Sequence, residues 1–198
     1  TSNNPMPLAT DTPGEWLERY LSSYHHEIQA HRNLSHRLVA YDEVIGSGGL
    51  AERLVTEWVA DGMPRAVAGT YLAGWFPGIL ASRSTFGLIG AGAAFLPERQ
   101  QLAWWLHPDG WTDGMAFGPR TRVIVLPEHA WAGQEGVEVV ATAQEQHSRL
   151  LAAVVESATP IIEWLYQNTK AGRLALWHEV SDGFASPLAY RRRAAKQI

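Results

Sequence analysis

The sequence predicts a mostly helical α+β protein in which helices flank a small antiparallel sheet, and two observations predict it. Apolar and aromatic residues recur at three- and four-residue spacing early and late in the chain. Between these stretches glycine, proline and tryptophan dominate, around short runs of strand-like composition. There is no repeat period and no low-complexity tract. With 198 residues, 46% of them hydrophobic, the chain can bury one large core. We therefore expect a single globular unit over 1–198, with a flexible N-terminus at 1–11 and a basic tail at 191–198.

The elements follow in order. Thr12-Pro13-Gly14-Glu15 reads as a helix start, with Thr12 as N-cap, Pro13 in the first helical position and Glu15 placed for a capping box. Trp16, Leu17, Tyr20, Leu21, Tyr24 and Ile28 then share one face, which predicts a helix from about 13 to 31. After the flexible break Ile45 to Gly49, the residues Leu50, Leu54, Val55, Trp58 and Val59 predict a second helix. Gly62-Met63-Pro64 ends it and opens another from Arg65 to about Trp75. Strands are expected at Leu102 to Leu106 and at Arg122 to Leu126, with His107-Pro108-Asp109-Gly110 as a turn between them. Helical pattern returns from about Val137 to Thr159, restarts at Pro160 through Tyr166, and closes with Leu174 to Tyr190.

Composition removes several function classes. The absence of cysteine excludes disulfides, thiolate-held iron–sulfur clusters, zinc fingers and cysteine nucleophiles. A formal charge of −4 gives no general attraction for polyanions, so nucleic acid is not an expected partner. Ala66 to Pro97 carries one charge, Arg83, but its uncharged part holds Gly69, Gly74, Pro77 and Gly78. We read it as core rather than as stable membrane insertion. Thr1 to Asp11 has neither a positive n-region nor an apolar h-region, which points to a cytoplasmic address.

Most chemistry-bearing patterns fail on spacing. His25, His26, His31 and His36 lack the i, i+4 spacing of a helical metal site, and a solvated face explains them better, so no metal and no cofactor is expected. Asp109 to Asp113 lacks the ligands that complete a calcium loop. Gly87 to Gly92 has neither the dinucleotide order nor a following Lys-Ser or Lys-Thr, and no Gly-x-Ser-x-Gly occurs.

Tryptophan is the unusual feature. There are nine, with Trp104 and Trp105 adjacent and Trp111 across the turn. In a strand, Trp104 and Trp105 face opposite sides, so one can be core and the other a pocket wall. Trp177-His178-Glu179 with Asp182 supplies acid–base types on a late helix. The candidate ligand contacts are Trp104, Trp105, Trp111, Trp177 and Arg65; the candidate catalytic residues are His178, Glu179 and His107.

The stretch from Glu57-Trp58-Val59-Ala60-Asp61 through Arg65 to Trp75-Phe76-Pro77, with Gly172-Arg173-Leu174-Ala175-Leu176-Trp177-His178-Glu179-Val180, resembles the bacterial ferric-siderophore reductase (FhuF-like) family. The resemblance implies a ligand-handling helical body. The C-terminal cysteines that ligate the family's [2Fe–2S] cluster have no counterpart here. Three function classes follow: a cluster-free relative that binds a siderophore-like or hydrophobic small metabolite in an aromatic-lined pocket; a cofactor-independent cyclase- or isomerase-type enzyme; and a protein-interaction module. The sequence does not choose whether the chain is an enzyme, nor its oligomeric state.

Overall fold

The computed structural model describes residues 12–16 and 37–195. The histidines at 25, 26, 31 and 36, and the expected helix beyond residue 16, lie outside the described residues. Its first turn is in place: the Thr12 hydroxyl and N–H both donate to the Glu15 carboxylate, and the Glu15 N–H donates back to Thr12 Oγ1. That reciprocal pairing is the capping box expected from the sequence.

Six helices and six strands make up the rest of the described chain. Strand β1 (Arg37–Ala40) leads into α1 (Tyr41–Ile45), α2 (Leu50–Ala60) and α3 (Arg65–Ala73), then a π turn (Gly74–Gly78) and α4 (Ile79–Ala91). Strands β2 (Ala94–Phe95), β3 (Leu102–Leu106), β4 (Thr112–Phe117), β5 (Val123–Val125) and β6 (Val137–Val139) follow, before the long helices α5 (Ala143–Thr169) and α6 (Arg173–Ala195). The fold is mostly helical α+β.

Several expected boundaries move, each for a local reason. The helix expected to end near Trp75 runs on to Ala91, because Pro77 sits in a π turn. Widening the helix there removes the demand for the N–H that proline lacks. Likewise Pro160 lies inside α5 rather than starting a new helix. Near that proline the Tyr41 hydroxyl donates to the Ser157 carbonyl at 2.6 Å. Burial pushes the Tyr41 hydroxyl well above its usual range, against the pull of Arg99, so it remains a donor. Val137 to Val139 is a strand, not the start of a helix, and residues 191–195 continue α6 into the expected tail.

The sheet region also differs from expectation. There are two three-stranded sheets, one of order β1-β3-β4 and one of order β2-β5-β6. The first is antiparallel throughout; in the second β5 pairs with β6 in parallel. The hairpin partner of Leu102–Leu106 is Thr112–Phe117, because the turn at His107 to Gly110 is too short to reach residue 122.

Alternation in the second sheet explains where the core lies. Ala94 and Ile124 belong to the main core, while Phe95, Val123 and Val125 belong to a second, smaller core with Trp16 and Trp131. Side chains two apart share a face, so β2 and β5 are buried on both sides, while Glu138 and Val139 of the edge strand β6 stay exposed. The main core gathers Leu54, Leu72, Phe76, Trp104, Ile161, Ile162 and Leu176, among others, from helices α2 to α6 and the first sheet. Helix α6 approaches α4 closely where Gly183 meets the Gly78 carbonyl; a Cβ at Gly183 would stand 2.3 Å from that oxygen.

Candidate functional site

The expected aromatic residues take separate positions. Trp104 is fully buried, packed against Tyr41 at 5.8 Å and edge-on to Phe76 at 5.5 Å. Trp105 is half-buried on the opposite face of β3, as strand alternation requires. Trp111 is 38% exposed and stacks on His107 with ring centroids 4.3 Å apart. The Asp109 N–H donates to His107 Nδ1 at 3.1 Å, so the neutral ring carries its proton on Nε2. Trp177 is half-buried against the main core, His178 is exposed, and Arg65 spans from α3 to the Asn168 carbonyl at 3.2 Å.

The structure therefore joins His107 with Trp111 but does not gather the tryptophans of the sheet and the residues of the late helix into one pocket. Trp104, Trp105, Trp111, Trp177 and Arg65 line none of the three cavities described below. Glu179 does line one. Among the described residues no three His, Asp or Glu side chains come together as a metal site, and no helix is long and apolar enough to cross a membrane.

The largest of these three cavities, about 820 Å³, opens beside the second sheet. Phe95, Phe117 and Val123 form its apolar wall, and Arg120, Arg122 and Glu135 its charged part. The wall is backed by rings: Phe95 lies 5.9 Å from Phe117, 6.2 Å from a nearly parallel Trp16 and 6.2 Å from an edge-on Trp131. His129 anchors the segment behind it. Its Nδ1 accepts from the Trp131 N–H at 3.1 Å, which leaves Nε2 to donate to the Ala91 carbonyl at 2.7 Å.

The loop that carries Arg120 is pinned to Gln101. The Gly118 N–H donates to the Gln101 carbonyl at 2.6 Å, and the Arg120 N–H to Gln101 Oε1 at 3.0 Å. Gly118 permits this approach, since a Cβ there would stand 2.5 Å from Gln101 Oε1. Arg122 is held by Glu98 at 2.5 Å. The Arg120 guanidinium makes no ion pair among the described residues.

A second cavity of about 450 Å³ lies between α5 and the segment before β3, near Tyr41, Arg99, Arg122 and Glu156. Both cations of its described lining are already engaged, Arg99 with Asp42 at 2.5 Å and Arg122 with Glu98. The third, about 370 Å³, is a groove bounded by Val67, Thr70, Tyr71, Gly74, Trp75 and Glu179. It forms where the two stretches that carry the family resemblance meet. Glycine at 74 brings the Glu179 carboxylate in, and a Cβ there would stand 3.1 Å from Glu179 Oε2.

Phe95, Phe117, Arg120, Tyr71 and Trp75 were not singled out as site residues by sequence reasoning. Tyr71 and Trp75 lie within the stretch that carries the resemblance, which was their one local signal; the other three come together through pairing of distant strands. Comparison with protein-family models, with curated protein sequences and with solved structures finds no match for this chain.

Proposed function

We propose that the chain binds a hydrophobic small metabolite carrying an anionic group, of the siderophore-like class that the family resemblance implies. The observation that supports this reading is the 820 Å³ cleft, with its phenylalanine wall and, at its edge, Arg120, which makes no ion pair among the described residues. Its volume lies within the roughly 300–1,000 Å³ of typical small-molecule sites, and mostly apolar walls with a few placed polar groups are their usual make-up. The rings behind Phe95 and Phe117 hold the wall in place before any ligand arrives, which lowers the ordering cost of binding. Arg120 stands on a loop fixed by Gln101 and offers a planar, permanently charged donor to a carboxylate, catecholate or hydroxamate oxygen. None of His107, His178 and Glu179 lines this cleft, so the reading is of binding rather than acid–base catalysis.

The test is calorimetric titration with 2,3-dihydroxybenzoate, an anionic catechol, alongside native mass spectrometry of small molecules that co-purify. We expect Arg120→Ala to weaken binding by roughly tenfold or more, as for a lost charge-assisted hydrogen bond, and Arg120→Glu to weaken it further. Phe117→Leu should weaken it with little change in melting temperature. Equal affinity for the wild type and all three variants would overturn the proposal.

A further inference from the structure

The groove between α3, the π turn and α6 is a different kind of place from the cleft. We propose that it is a binding site for a small organic cation, held by the Glu179 carboxylate and the rings of Trp75 and Tyr71.

The argument starts from the carboxylate. Glu179 is half-buried, lies on the wall of the groove, and makes no hydrogen bond or ion pair among the described residues. Elsewhere on the described surface carboxylates at this level of exposure are engaged by arginine: Glu98 with Arg122 and Glu163 with Arg173. An ionised carboxylate against apolar walls loses part of its hydration without compensation, and a cation restores it.

The walls fit that cation better than they fit a metal ion or a basic side chain of the chain itself. Val67, Tyr71 and Trp75 supply apolar and aromatic surface, and Glu179 is the one charged residue among the described lining. Trp75 is half-buried and Trp58 packs edge-on to it at 5.0 Å, which limits its swing, while Tyr71, 6.5 Å from Trp58, is 54% exposed. Aromatic faces attract alkylammonium groups through their quadrupoles, and an indole does so best. A single carboxylate beside two such rings suits a bulky, weakly hydrated ammonium ion, whereas a hard divalent cation needs several oxygen ligands.

The backbone supports the same assignment. The site sits on the π turn Gly74–Gly78, where the helix is widened by one residue and glycines at 74 and 78 let α6 come within contact of the chain. Single π turns inside helices occur frequently at functional sites. Here the widened turn sets Trp75 on the groove and seats Glu179 against Gly74. At about 370 Å³ the groove takes a ligand of modest size.

The probes are benzyltrimethylammonium, choline and 3,3-dimethylbutan-1-ol, the uncharged carbon isostere of choline. The readout is the indole N–H resonance of Trp75, assigned by Trp75→Phe, together with calorimetry. We expect both ammonium ions to shift that resonance saturably and the isostere to bind roughly tenfold weaker or not at all. Glu179→Gln should weaken the ammonium ions by roughly tenfold while leaving the melting temperature unchanged, and added salt should weaken them in the wild type but little in the variant. Trp75→Ala should abolish binding, with Trp75→Phe restoring part of it. Indifference of the Trp75 resonance to both ammonium ions, or equal binding of choline and its isostere, would overturn the proposal. So would unchanged affinity in Glu179→Gln, or self-association that competes with the cation, which would place a second copy in the groove.

Discussion

The two cores solve the same packing problem with different materials. The main core is filled largely by aliphatic side chains from long helices, with Trp104 set between Tyr41 and Phe76. The smaller one is built ring against ring, with Trp16, Phe95 and Trp131 beside two valines and two alanines. The difference follows from supply. Strands β2 and β5 are two and three residues long, so each inward position must cover much area, and aromatic rings cover the most.

Both cores accept the same cost for this. The indole N–H groups of Trp104 and Trp131 have no hydrogen-bond partner among the described residues. An unpaired buried donor costs about 1–3 kcal/mol, while burying a tryptophan ring at about 25 cal/mol per Å² gains about 4–6 kcal/mol, so the ring stays inside.

The comparison breaks most visibly at those two residues. Trp104→Ala should destabilise by about 4–5 kcal/mol, because it is fully buried between Tyr41, Phe76 and two flanking strands that hold the void open. Trp131→Ala should cost about 3 kcal/mol, since its neighbours lie on short strands and loops that can close in. Urea denaturation of both variants measures the difference. A larger loss at Trp131 would mean that the aromatic core is the stiffer of the two.

Next in size is the link between them. Gln146 on α5 is buried and donates to the Gly92 carbonyl at 3.0 Å and the Ile124 carbonyl at 2.9 Å, tying the helix to the second sheet. Gln146→Leu keeps the bulk but removes both hydrogen bonds, so we expect a loss of about 2–3 kcal/mol. Hydrogen exchange should rise in β2 and β5 more than in α5. Uniform acceleration across the chain would show that the cores unfold as one.

A smaller effect is expected where the main core depends on backbone contact. Gly183→Ala would place a methyl 2.3 Å from the Gly78 carbonyl oxygen, so α6 must move off α4. Thermal melting should report a loss of about 1–3 kcal/mol. No change would mean that this contact is loose.

The surface contributes least. Arg149 donates to the Glu138 carboxylate through two nitrogens, and this holds the carboxyl below its ordinary value of 4.5. A folded-state value below the unfolded one gives stability that is present above the unfolded value and lost as the pH falls through the folded one. The expected window is therefore below pH 4.5. Both partners are substantially exposed and screened by solvent, so Glu138→Gln should cost no more than about 0.5 kcal/mol at neutral pH, and less in high salt.

How legible the molecule was depended on the range of each interaction. The capping box at Thr12, helix α2 and strands β3 and β5 were readable because caps, 3.6-residue spacing and strand composition are local properties. Pro77 and Pro160 misled because a proline ends an isolated helix, whereas packing on both sides holds α4 and α5 together across them. Glu179 was visible as an acid on a late helix, but its groove was not, since Trp75 and Glu179 lie more than a hundred positions apart in the sequence.

By itself the sequence determined the fold class, the lack of any thiol in this chain and the strand alternation that puts Trp104 and Trp105 on opposite faces. Composition and short-range periodicity suffice for these, because each is decided by residues within a few positions of one another. Only the tertiary structure decided that β2 and β5 are buried on both faces. It alone brought Phe95, Phe117 and Arg120 to one cleft and set Glu179 against the π turn. Strand pairing and helix packing at glycine contacts fix those distances, and neither leaves a periodic mark in the sequence.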